Sequence, residues 1–135
     1  MENRTVFDTN IWISYFIGKK TNEIMKMTEQ NIAFIYSTTS ADELIEVLSR
    51  KKFEKYNLDI SDLVLFYTNI SEFCPTEPKF TACPDPKDNF LFDLALQGNA
   101  KYLVSGDKKV LETPSGSETL KVTTLPAFKE YLQIQ

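Results

Sequence analysis

Four acids stand where a fold could bring them together: Asp8, Glu43, Asp88 and Asp107. Asp8 ends the apolar run Thr5-Val6-Phe7 and is followed by Thr9 and Asn10, while Asp107 follows Tyr102-Leu103-Val104 through Ser105-Gly106. Each run reads as a buried β-strand whose C-terminal tip delivers a carboxylate and a hydroxyl. Glu43 and Asp88 instead stand at the starts of helical stretches. Where strands lead into helices, strand tips and helix starts share one edge of the sheet, the edge where open α/β sheets bind ligands. Carboxylates crowded there cannot all ionise without cations. Hard oxygen donors of this kind suit Mg²⁺ or Mn²⁺, as one or two ions. A pair of ions roughly 3.5–4 Å apart could activate a water and stabilise the leaving oxygen of a phosphodiester.

Composition narrows the alternatives. There is no histidine among the 135 residues, which removes Ser-His-Asp and Cys-His catalysis, histidine-based ribonuclease chemistry and His-ligated metals. A hydrolase with this composition must use carboxylates, hydroxyls or lysines. The net charge of −4 repels nucleic acid, so such a substrate needs local basic patches or bound cations. Cys74 and Cys83, each followed by proline, read as reduced structural thiols, since two thiols without histidine match no common zinc site. The length suits a single domain over 1–135, 42% apolar residues suit a globular core, and no run reaches membrane-spanning length. With no signal-like start, the expectation is a cytoplasmic chain.

The elements that must position the acids follow in order. A helix is expected from Asn10 to Gly18, then a second over 22–30 with Thr21 as N-cap. Ile32-Ala33-Phe34-Ile35-Tyr36 reads as a strand. Ser40 with Glu43 three residues on fits a capping box opening a helix that runs to about Lys52. Its buried stripe is expected to comprise Leu44, Ile45, Val47 and Leu48, with Glu43 on the border and Asp42 and Glu46 turned away. A helix over 60–70, capped by Asp59 or Ser61, leads to a short strand near Glu72-Phe73-Cys74. Four prolines leave 75–86 as loop. Asp88 begins a helix to about Gln97, with Leu91, Phe92, Leu94, Ala95 and Leu96 inward and Asp93 towards water. After the strand at 101–104 come a helical turn at 108–111, a polar loop at 113–119, a strand at 120–123 and a helix at 125–132 with Pro126 in its first turn. The alternation predicts an α/β fold with a parallel sheet covered on both faces.

Each acid also has a plainer role. Asp8 and Asp88 could be ordinary helix caps, Glu43 only the capping partner of Ser40, and Asp107 a turn residue. One sheet edge nevertheless accounts for all four together.

These stretches resemble the motifs of PIN-domain nucleases. Val6-Phe7-Asp8-Thr9-Asn10 is similar to the first motif, and Ser40 to Phe53, with Glu43, Val47-Leu48, Arg50 and Lys52, to the second. Asp85-Pro86-Lys87-Asp88 through Leu96 is similar to the third, and Tyr102 to Asp107 to the fourth. The likeness spans nearly the whole chain and is nearest to the bacterial VapC-like toxins of type II toxin–antitoxin systems. It implies a three-layer α/β/α fold with a mostly parallel central sheet and a Mg²⁺- or Mn²⁺-dependent endoribonuclease. Asp8, Glu43, Asp88 and Asp107 then match the metal-binding, catalytic acids, and Thr9, Asn10 and Ser105 the supporting polar positions. Ser105 stands where many relatives have threonine. Asp85 competes with Asp88, and Asp88 is preferred because it begins the helix. The implied partners are RNA, an antitoxin protein and a second copy in a homodimer.

Arg50, Lys51, Lys52 and Lys55, with Lys108 and Lys109, could hold RNA phosphates beside the acids, or be solvated lysines suited to helix ends. Two other functions compete. A non-catalytic PIN-fold interaction module would be free to lose the acids, which are all present. Phosphoryl transfer at Asp8, as in haloacid dehalogenases or receiver domains, wants another acid beside it, and Thr9-Asn10 supplies none.

Overall fold

A computed structural model describes residues 2–134. Five strands form one sheet: β1 (Asn3–Phe7), β2 (Ile32–Tyr36), β3 (Ser71–Phe73), β4 (Tyr102–Val104) and β5 (Lys121–Thr123), in spatial order β3-β2-β1-β4-β5. Every neighbouring pair is parallel. Parallel strands need crossovers, and these are supplied by α1 (Thr9–Ile17), α2 (Thr21–Glu29), α3 (Thr38–Leu48), α4 (Ile60–Ile70), α5 (Asn89–Gln97) and α6 (Lys108–Leu111), with α7 (Leu125–Tyr131) closing the chain.

Side chains that alternate along the strands feed two separate cores. Phe7, Phe34, Tyr102 and Val104 join Trp12, Phe16, Ile24, Leu44, Val47 and Phe128 on one face. Val6, Ile35 and Leu103 join Leu91, Phe92, Leu94 and Val110 on the other. The result is the expected α/β/α sandwich. In the first core Phe7 is a hub, with its ring 4.8 Å from Phe34, 5.6 Å from Phe128 and 5.7 Å from Trp12. Trp12 in turn lies 4.9 Å from Tyr67. Large rings in edge contact add packing energy beyond their buried area, so the residue after Phe7 is held on a rigid base. That residue is Asp8.

Several expected boundaries shift, each for a visible reason. Ser40 is not the N-cap of α3. Ser37 is: it and Ser40 exchange backbone-to-hydroxyl hydrogen bonds at 3.1 and 2.8 Å in a capping box of their own. Ser40 Oγ also lies 2.8 Å from the Tyr67 hydroxyl, which ties α3 to α4. Glu43 is therefore released from any capping role. Helix α3 stops at Leu48 rather than near Lys52, and a 3-10 helix over Lys51–Tyr56 takes over. Ile45, expected in the buried stripe, is 40% exposed. Thr21 lies inside α2, whose N-cap is Lys20.

Asp93, expected to face water, is only 6% exposed. Its Oδ1 accepts hydrogen bonds from the backbone N–H groups of Lys79 (3.0 Å) and Phe80 (2.8 Å). Asn89 Oδ1 accepts from Cys83 N at 3.1 Å, and Gln97 both accepts from Glu77 N and donates to Glu77 O. Residues 89, 93 and 97 are one helical turn apart, so one polar stripe of α5 clamps the proline-rich segment that has no strand or helix of its own. Both cysteines are buried and free, as expected. No helix among the described residues is long and apolar enough to cross a membrane.

Candidate functional site

The strand order reverses direction at β1, whose neighbours are β2 and β4, and crevices at such switch points are where open α/β sheets bind ligands. Phe7 pairs with Val104, so the tips of β1 and β4 end side by side. Asp8 N donates to Val104 O at 2.8 Å, and Ser105 Oγ donates to Asp8 Oδ2 at 2.6 Å. The same Ser105 oxygen accepts from Asp107 N at 3.0 Å. One buried hydroxyl thus positions both strand-tip acids.

Asp8 occupies the N-cap position of α1, yet its side chain makes no capping hydrogen bond. Burial pushes its carboxyl above the ordinary range, and Asp107 adds repulsion; the Ser105 hydroxyl and the N–H groups of Asn10 and Thr9 only partly offset this. Asp88 is likewise an N-cap by position, at the start of α5, with no capping bond. Its carboxyl is pushed up to about 6, first by burial and then by Asp8, Asp107, Asp85 and Glu43. Glu43 is raised by burial, by Glu46 and by Asp8, while Arg50 and Lys87 pull it down. Asp107 does cap its helix: its Oδ1 accepts from Lys109 N at 2.9 Å. Asp85 caps the 3-10 turn Pro86–Asp88 through Lys87 N, which leaves Asp88 as the freer carboxylate of the third motif. Thr9 and Ser105 are buried and Asn10 is exposed at the rim.

The four acids therefore sense one another from four different segments. None of them is in a salt bridge among the described residues. Among those residues, no group of three or more acidic or thiol side chains is already arranged to hold an ion. Repelling carboxylates are not expected to draw together by themselves, and Mg²⁺ commonly takes only one or two carboxylates and keeps several waters. The donor set, hard and in no salt bridge among the described residues, suits such an ion.

The basic residues are less available than the sequence suggests. Arg50 is paired with Glu46 at 2.8 Å and Lys108 with Glu112 at 3.8 Å. Lys52 lies over the Phe53 ring and Lys55 over the Tyr56 ring. Lys87, like Arg50, is a cation whose field reaches both Glu43 and Glu46, and among the described residues it is in no salt bridge. Beside it a groove of about 430 Å³ opens against Glu43. Cys83 faces the same acids, and burial together with Asp88, Asp85 and Asp107 holds its thiol in the neutral form.

The family described as the PIN domain matches residues 4–109. No curated protein matches the chain. In fold, the chain is similar to VapBC2 from Rickettsia felis, whose crystal structure was determined bound to a DNA fragment from its promoter. The two share 18% identity with a TM-score of 0.59, over 90% of this chain and 98% of that one. Identity that low speaks to the fold alone.

Proposed function

This chain belongs to the PIN-domain family, and from that premise we propose that it is a Mg²⁺- or Mn²⁺-dependent endoribonuclease, the toxin of a toxin–antitoxin pair. The observation that carries the reading is the pair of adjacent strand tips at which the one Ser105 hydroxyl donates to Asp8 and accepts from the Asp107 N–H, with burial and the neighbouring acids raising the Asp88 carboxyl to about 6 beside them. Asp8, Glu43, Asp88 and Asp107 would hold one or two ions. When bound, such ions supply the positive charge that offsets the acids and the means of activating water for phosphodiester hydrolysis. Ser105 holds the Asp8 carboxylate by a hydrogen bond and orders the Asp107 backbone. Asn10, exposed at the start of α1, offers an amide to a phosphate oxygen. The histidine-free composition supports a carboxylate-and-metal route over side-chain general-base catalysis. A partner protein belongs to the reading because the structural relative was crystallised as VapBC2 with DNA.

The test is cleavage of single-stranded and structured RNA by purified protein with Mn²⁺, beside Asp8→Asn prepared identically. Cleavage by the wild type that Asp8→Asn loses supports the reading. No cleavage, or equal cleavage by both proteins, overturns it.

A further inference from the structure

We propose that the groove beside Glu43 is a nucleotide subsite, in which Phe90 stacks on a base of single-stranded RNA and Lys87 holds the adjacent phosphate. The inference rests on the ribonuclease reading above and assigns the residues that grip the strand. The groove is lined by Glu43, Thr39, Phe80, Lys87, Asn89 and Phe90, among others, and its volume of about 430 Å³ lies within the range of small-ligand sites.

Three observations point to a nucleotide. First, Glu43 belongs both to the acid edge and to the groove wall, so a strand crossing the acids continues directly into the groove. Second, the lining sets a flat apolar surface beside a cation. Phe90 is half-buried, packed against the second core, and still faces the groove. Lys87 is exposed, and among the described residues no salt bridge engages it. A nucleotide presents the complement, a π-faced base joined to an anionic phosphate. Third, the wall is built in advance. Asp93 and Asn89 pin the proline-rich segment to α5, and the Phe80 ring stacks on the buried Phe92 ring with centroids 4.4 Å apart. A groove already ordered loses little entropy when a ligand enters. Nothing in this lining reads a base edge in a set pattern, so the grip is expected to tolerate many sequences.

The experiment measures binding of a fluorescein-labelled, 12-nucleotide single-stranded RNA by anisotropy in Ca²⁺, and cleavage of the same RNA in Mn²⁺. The proteins compared are the wild type, Phe90→Ala, Phe90→Trp and Lys87→Ala. Loss of one stacked base should weaken binding by about 5- to 150-fold in Phe90→Ala, with Phe90→Trp recovering most of it. Lys87→Ala should weaken binding and lower the salt dependence by about one phosphate contact. In cleavage the losses should fall on KM more than on kcat. Binding by Phe90→Ala at wild-type strength overturns the subsite. So does weak binding that Phe90→Trp fails to restore, since that marks a packing role. Cleavage with unchanged KM in Phe90→Ala and Lys87→Ala also removes the subsite and leaves the nuclease reading standing. Groove-dependent binding without any Mn²⁺ cleavage removes the nuclease reading and leaves the subsite.

Discussion

Replacing Asp88 by Asn should make the metal-free protein more stable. The Asp88 carboxyl rises from an ordinary 3.8 to about 6 in the folded chain, so at neutral pH folding must carry an ionised group in surroundings that disfavour it. A shift of that size corresponds to roughly 3 kcal/mol. The group is only partly buried, and solvent screening reduces the figure to about 1–2 kcal/mol. The sign follows from linkage: between about 4 and 6 the folded state binds more protons than the unfolded state, so stability falls as pH rises through that window. The penalty is absent below about 4 and complete above about 6. Asn is as good an N-cap as Asp, and Asp88 makes no capping hydrogen bond to lose. In EDTA at pH 7.5, Asp88→Asn should therefore melt roughly 3–8 °C above the wild type, with the gap closing by pH 4. Because burial is the first cause and repulsion the second, 0.5 M salt should shrink the gap without abolishing it. In millimolar Mn²⁺ the order should narrow or reverse, since the wild type keeps a ligand that the variant lacks. Equal melting temperatures in EDTA at pH 7.5, or a gap that widens on acidification, would refute the electrostatic reasoning.

Divalent metal should stabilise the wild type by mass action, by about 2.7 kcal/mol at a hundredfold excess over Kd, and so raise its melting temperature; calorimetry in Mg²⁺ and Mn²⁺ reads this, and a flat response speaks against an ion site. Ser105→Ala removes a 2.6 Å hydrogen bond to Asp8 and the acceptor of Asp107 N. It should cost about 1.5–3 kcal/mol in urea denaturation and raise the Asp8 carboxyl further, with the loss greatest at high pH, where that carboxylate is charged. Asp93→Ala frees the N–H groups of Lys79 and Phe80 at a cost of about 2–3 kcal/mol, and trypsin should then cut after Lys79 many times faster than in the wild type.

The strands were legible because their signals are local, and their alternation with helices made the parallel sheet legible too. An apolar run that ends in Asp8 or in Ser105-Gly106-Asp107 carries its own stop. The errors arose where one hydroxyl or carboxylate could serve two neighbours. Ser40 with Glu43 fits the capping-box spacing, and so does Ser37 with Ser40; the second pair won because Ser40 also meets Tyr67, a contact 27 residues distant. The burial of Asp93 is not visible in the helix pattern, because its partners are backbone N–H groups of a loop whose path no periodicity encodes. The spacing Asn89, Asp93, Gln97 was the available clue, since a polar stripe at four-residue intervals on a helix with an apolar face needs something to bind. Lys87 carries no local signal of its own, since it lies between Asp85 and Asp88 in a stretch whose acids dominate the pattern.

The arrangement also explains why so short a chain can hold its acids near one another at all. Asp8 and Asp107 come from adjacent strand tips, locked by main-chain pairing and by one serine. Glu43 comes from α3, packed in the first core, and Asp88 from the entry to α5, packed in the second. The crevice is thus closed by helices from both faces of the sheet, with the strand tips between them. No two of these segments are sequence neighbours, so repulsion among the acids acts on the docking of α3 and α5 rather than on any single turn. The aromatic cluster around Phe7 opposes it from directly beneath Asp8. Truncating that ring, at about 3–5 kcal/mol for a buried Phe→Ala change, would exceed the whole relief expected from Asp88→Asn. Packing therefore wins over repulsion in the metal-free protein, and the strand tips and helix starts keep their places although none of the four acids is in a salt bridge among the described residues.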